Sequence, residues 1–304
     1  VETNTPHTPV LADTAMQYLN PTKGESYLDL TAGFGGHAAR ILDVTDNYQD
    51  SVLVDRDQSA VNYVRNRFSE HNELTIMHLD MLHAAQQFMS DLRKFDMILI
   101  DAGVSSPQLD IAERGFSFMR NGPLDMRMDQ SQELSAADIV NGYSTQQLDS
   151  IFSRYGEEPQ SARIAGAIVS ARPINSTHEL AQLVKDTVHP KRAHGKTHPA
   201  TQVFQALRIE VNAELEQLEQ VTELIPDLLT PGGRVVFISF HSLEDRIFKQ
   251  LIKKHAGGRL DSTLKDLTNG PITDSISSNP RARSAKLRAA VKIKTKRRDH
   301  ADSG

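Results

Sequence analysis

The chain has 304 residues, 38% of them hydrophobic, and a formal net charge of −5. That length suits one large domain or two modest ones with a substantial core. The absence of cysteine excludes disulfides, thiolate catalysis and Cys-based zinc or iron–sulfur sites. No apolar run reaches the roughly 18 residues needed to span a bilayer, and the polar N-terminus has no apolar leader core, so a cytoplasmic protein without a membrane partner is expected.

Short apolar runs alternate with amphipathic segments over residues 1–104. Strands are predicted at 27–30, 51–54, 74–79 and 97–100. Helices are predicted from 37 onward, over 58–68 and over 81–92. Between 105 and 199 no buried strand is evident; helices are predicted at 135–140, 145–155, 161–171 and 176–188, with Ser135, Thr145 and Ser176 as N-caps. Alternation then resumes. One long helix is expected over 201–229, ended by Pro231-Gly232-Gly233, then a strand at 234–240 and a helix from His241 to about Lys254. Residues 256–280, rich in Gly, Ser, Asn, Asp and Pro, are expected to form a mobile loop, and 287–293 an antiparallel edge strand. The expected fold class is α/β: a mostly parallel, doubly wound, Rossmann-like sheet with an inserted all-helical domain. The expected boundaries are 1–104 and 200–304 for the sheet domain and 105–199 for the helical substrate-recognition insertion.

The run Leu28-Asp29-Leu30-Thr31-Ala32-Gly33-Phe34-Gly35-Gly36-His37-Ala38 carries the strongest signal. It is a strand, a glycine turn and a helix start, which lets a ligand approach the backbone and the helix N–H groups. Asp55, about twenty residues on, is placed to accept hydrogen bonds from both hydroxyls of a ribose. Right-handed crossovers bring Gly33, Gly35, Gly36, His37, Asp55, Asp80 and Asp101 to one sheet edge. A nucleoside-containing cofactor follows. NAD and S-adenosylmethionine both offer the ribose diol. Asp80-Met81 favours the second, with Asp80 accepting from an adenine amine and Met81 covering the ring; helix capping and core packing are the alternatives. The polar loop Asp101-Ala102-Gly103-Val104-Ser105-Ser106-Pro107-Gln108 points the same way, because it follows the fourth strand, where amino-group methyltransferases grip their substrate.

The words His7-Thr8-Pro9-Val10-Leu11, Gly35-Gly36-His37, Asp55-Arg56-Asp57 and Asp101 through Asp110 resemble the RsmH/MraW methyltransferases. So do Glu113 through Arg120, Gly122 through Met128, Tyr155-Gly156-Glu157-Glu158, His198-Pro199-Ala200-Thr201, Phe240 through Arg246 and Asn279 through Ser284. The resemblance spans nearly the whole chain, in order. It implies a class I methyltransferase fold and S-adenosylmethionine-dependent methylation of the N4 amino group of one cytosine in small-subunit (16S) ribosomal RNA near the decoding site. The implied partner is that RNA or the assembling small subunit. The implied cofactor contacts are Gly35, Gly36, His37, Asp55, Met81, Asp101 and Gln108. Members of the family often carry an aromatic residue where this chain has Met81. No residue is assigned to catalysis. An NAD-dependent oxidoreductase and a non-catalytic RNA-binding protein are the alternatives.

For RNA, nine Lys/Arg and no acid lie between Arg281 and Arg298, and Arg281, Arg283, Lys286 and Arg288 are the expected phosphate contacts. Phe116, Phe118 and Met119 either stack on bases or pack the insertion. His189, His194 and His198 among basic residues suit a loop facing RNA better than a metal, and no metal ligand set is expected. His241 with Glu244-Asp245 suits either acid–base chemistry or helix capping.

Overall fold

Four apolar runs become parallel strands: β1 Tyr27–Asp29, β2 Val52–Asp55, β3 Thr75–His78 and β4 Phe95–Asp101. The structure is a computed structural model that describes residues 9–193, 198–256, 262–273 and 282–293. His7, Thr8, His194, Lys196, Asn279, Pro280 and Arg281 lie outside the described residues. The helices interleaved with these strands are α1 Ala12–Leu19, α2 Gly36–Thr45, α3 Gln58–Arg67 and α4 Met81–Ser90.

The chain divides into two compact units, residues 1–103 with 217–304, and residues 104–216. The second unit is helical: α5 Ser106–Asp110, α6 Ala136–Gly142, α7 Thr145–Arg154, α8 Ser161–Ala171, α9 Thr177–Thr187, α10 Pro190–Ala193 and α11 Ala200–Asn212. Ser135 and Ser176 cap α6 and α9 as expected, whereas α7 is capped by Ser144, with Thr145 its first residue. Ile139, Leu148, Phe152, Ile164, Leu180, Val203 and Leu207 form one buried core. Helix α11 belongs to that core, so this unit runs to Glu216 and not to the expected boundary at 199.

The long helix expected over 201–229 is two helices, α11 and α12 Glu214–Leu228. Ala213 breaks it with φ 48°. Asn212, 1% exposed, sends its amide to the carbonyls of Met126 and Arg208 and accepts from the Met128 N–H, and Arg208 pairs with Glu214 across the break. A buried amide with three partners outweighs the cost of one residue in the left-handed region.

The sheet is completed by β5 Leu229–Ser239, helix α13 Ser242–His255, β6 Leu264–Asp266, β7 Ile272–Thr273 and β8 Lys286–Lys292. The strand order is β3-β2-β1-β4-β5-β8-β6, with β7 also on β8. Strands β1 to β5 are parallel and β8 is antiparallel to β5. Strand β8 is interior, not an edge, because β6 and β7 form within the stretch expected to be loop. Leu28, Leu53, Ile98, Leu99, Val236 and Phe237 are fully buried, as befits parallel strands covered on both faces. The result is a doubly wound α/β fold with a helical insertion.

Candidate functional site at the carboxyl edge of the sheet

Strand β1 ends at Asp29, and the chain turns at once. The turn is pinned from both sides: Leu30 N–H donates to the Leu99 carbonyl and Ala32 N–H to the Val54 carbonyl. Gly33 (φ 52°) and Gly35 (φ 72°) take the left-handed backbone that the turn requires. At Gly35 a Cβ would also come within 3.2 Å of the Phe68 ring. Gly36 opens α2, and Gly35 at its N-cap offers no side chain to the first amides. Those N–H groups are available to an anionic or polar ligand.

Asp55 ends β2 and faces this turn. One carboxyl oxygen accepts the Gly33 N–H at 2.7 Å, the other the Asp57 N–H at 2.7 Å. Desolvation pushes its carboxyl up to about 6, against the pull of those two amides. A carboxylate has about four acceptor positions, so two amide contacts leave capacity for a ligand diol.

Asp101 ends β4. Its N–H donates to Thr31 Oγ1 at 2.7 Å, which ties the β4 terminus to the glycine turn. Its Oδ2 lies 3.6 Å from His37 Nε2. His37 Nε2 and Asp101 Oδ1 are buried and have no hydrogen-bond partner among the described residues. Buried polar atoms are nearly always paired, so this edge suits a ligand that brings its own polar groups. The spacing of residues missed Asp29. It is 1% exposed, accepts from Tyr27 Oη and the Thr31 N–H, and burial raises its carboxyl to about 6. Its signal was a carboxylate inside an otherwise apolar strand.

Not every expected residue joins this group. Asp80 is engaged by α4: its Oδ1 accepts from the Leu82 and His83 N–H groups and its Oδ2 meets His83 Nδ1. It is the helix cap of α4. Met81 opens that helix and is half-buried. Gln108 lies in the helical unit, where its Oε1 accepts the Ser105 N–H in a capping box.

The basic candidates also separate. Arg288, 6% exposed, is bidentate to Asp245 at 2.7 and 3.2 Å. It locks β8 to α13 and presents no guanidinium to a phosphate, which corrects the expectation. Burial opposes ionisation of Asp245, yet Arg288 and Lys286 hold its carboxyl below the usual value. Lys286 is half-buried, 3.4 Å from Asp245. Arg283 is exposed, and Arg281 lies outside the described residues. His241 and Glu244 form a capping box on α13, with Glu244 accepting from the Phe240 N–H at 2.7 Å; capping is the account the geometry favours. Phe116 is buried in the helical core and Phe118 packs on Phe204 and His198, so these rings pack their own unit; Met119 is 79% exposed.

The family model of the MraW methylase family matches residues 4–293. Ribosomal RNA small subunit methyltransferase H of Nostoc sp. is 46% identical over 289 residues, covering 94% of this chain and 92% of its own length. The protein of the same name from Cyanothece sp. is 47% identical over 290 residues, covering 94% and 95%. Among solved structures, an rRNA methylase from Streptococcus thermophilus aligns over 93% of each chain at 10% identity with a TM-score of 0.40. A family model spanning residues 4–293, with relatives above 40% identity along the same length, establishes that this chain belongs to the MraW methylase family.

Proposed function

We propose that this chain methylates the N4 amino group of one cytosine in small-subunit (16S) ribosomal RNA, near the decoding site, with S-adenosylmethionine as the methyl donor. One observation carries the reading: a chain of the MraW methylase family brings a glycine turn, two carboxylates and two unpartnered buried polar atoms to one sheet edge. The names of the relatives support the RNA substrate. The N4 position and the decoding-site location rest on the resemblance of the sequence motifs.

The donor supplies, when bound, a methyl group activated on a sulfonium. The residues at the edge fit it. The Gly33–Gly36 turn and the first amides of α2 suit its polar amino-acid end, with His37 alongside. Asp55 suits its ribose diol, and Met81 the face of its adenine. What remains for the protein is to align a poor nucleophile, because the amino lone pair of cytosine is delocalised into the ring. An acceptor for the amino hydrogens favours a pyramidal nitrogen and stabilises the charge developing on it. Asp101, at the end of β4 with one oxygen unpartnered among the described residues, is the group suited to that role. A target base must leave its stack to reach such a pocket. The helical unit 104–216 is the substrate-recognition insertion in this reading, and exposed Arg283 contributes to phosphate binding.

Mass spectrometry of ribosomal RNA from cells with and without the gene tests the reading. Loss of N4-methylcytosine from one small-subunit position, restored by the gene, supports it. An unchanged spectrum, or binding of NADH in preference to S-adenosylmethionine, overturns it. For Asp101→Ala, lost donor affinity with intact turnover at saturation would exclude a chemical role.

A further inference from the structure

A histidine and two acids meet beside the glycine turn. His37, 7% exposed, is the second residue of α2. Its Nε2 faces the Asp101 carboxyl across 3.6 Å. Asp29 lies within the field of the same imidazole, whose charge favours the ionised carboxyl while that of Asp101 opposes it. Tyr27, behind Asp29, donates to it at 2.7 Å. The backbone of Asp101 is anchored on Thr31, so its carboxyl is aimed while one of its oxygens stays unpartnered among the described residues. Turn and cap hydrogen bonds account for Asp55 and Asp80, but not for the buried His37 Nε2 and Asp101 Oδ1. A buried imidazole nitrogen and a carboxylate oxygen left open near each other are costly to keep, and in the tautomer that leaves Nε2 unprotonated they mark a place where a proton can be handed on.

We propose that Asp101 receives the proton released by the methylated amino nitrogen and that His37 is the relay residue that takes it from Asp101. This inference rests on the functional reading above. The nitrogen lone pair forms the new N–C bond as the methyl–sulfur bond breaks and its electron pair stays on sulfur, leaving the nitrogen positively charged. The N–H bond then breaks, its electron pair returns to nitrogen, and the proton moves to Asp101 Oδ1. The neutral Asp101 acid turns its protonated oxygen toward His37, and transfer to Nε2 restores the carboxylate and leaves an imidazolium beside Asp101 and within the field of Asp29. That cation replaces the positive charge lost from sulfur, so the charge of the buried site is conserved across the reaction. The proton passes to water before the next turnover. The present separation closes to hydrogen-bond reach in the complex, as is common for catalytic contacts that are loose without ligands.

The test separates holding the donor from moving the proton. His37→Gln and His37→Asn are each compared with the unsubstituted protein by calorimetric titration with S-adenosylhomocysteine. Single-turnover methyl transfer to small-subunit particles is then followed at saturating donor across pH. At saturating donor, whatever the change in affinity, the relay predicts a rate about 10²-fold lower and loss of the acid limb of the pH–rate profile. A parallel fall in affinity with full rate at saturation, or a parental pH profile in either variant that folds, overturns it. If the parent itself places no methyl on a cytosine amino group, the functional reading fails. If the parent does so and the variants match it, only the relay fails.

Discussion

Replacing Asp55 by asparagine tests the ribose contact. The carboxylate accepts the Gly33 and Asp57 amides on its two oxygens, both at 2.7 Å. Asparagine has one oxygen, so one of those amides must face an NH2 group. That mismatch costs the fold roughly 1–3 kcal/mol. It is present with or without ligand, so it enters stability and not affinity. Affinity falls because the diol loses charge assistance and one acceptor, roughly 2–3 kcal/mol, or about 30- to 150-fold in Kd. Isothermal titration with S-adenosylhomocysteine measures this. The pH dependence is the sharper signature. Desolvation holds the Asp55 carboxyl up to about 6, and the diol binds its ionised form. Parent affinity should therefore weaken as pH falls through that value, approaching tenfold per pH unit. Asp29 titrates in both proteins, so the difference between the two curves isolates Asp55. Affinity within about threefold of the parent, or an identical slope from about pH 7 to about pH 5, would refute the reasoning.

Asp29→Asn probes stability instead. Its carboxyl rises from the ordinary 3.8 to about 6 on burial, so the native state binds the proton more tightly than the unfolded chain. Asp29 therefore contributes ~3 kcal/mol to the stability the parent loses as pH rises from about 4 to about 6, in addition to the loss from Asp55. Asparagine keeps an acceptor for the Thr31 amide and offers NH2 to the Tyr27 oxygen, so urea unfolding of the variant should lack Asp29's share of that loss and keep that of Asp55. Arg288→Met leaves buried Asp245 with only Lys286, at 3.4 Å, which should destabilise the fold by up to about 3–5 kcal/mol in denaturant titration. Most of that should return in the double variant with Asp245→Leu. In the helical unit, a Cβ on Gly122 would lie 1.9 Å from the Ala112 carbonyl oxygen. Gly122→Ala should then cost about 2–4 kcal/mol, read as a lowered melting temperature.

Much of the architecture is local in origin, which is why it was legible from residue order. Apolar runs of four to seven residues separated by amphipathic stretches specify covered parallel strands and their flanking helices. Glycines at 33 and 35 specify a turn that other residues would strain. Parallel strand–helix repeats place every strand end on one edge, so Asp55 and Asp101 converge there although 46 positions apart (101 − 55). Which groups pair with which was decided by tertiary packing. Arg288 sits in a basic run that resembles an RNA contact, yet strand β8 turns it inward onto Asp245. Ala213 gives no local sign of a break; Asn212 makes one because its partners, Met126 and Met128, are more than eighty residues away. Charge and propensity are properties of a residue, whereas burial and hydrogen-bond partners belong to the folded neighbourhood, and no window of sequence contains that neighbourhood.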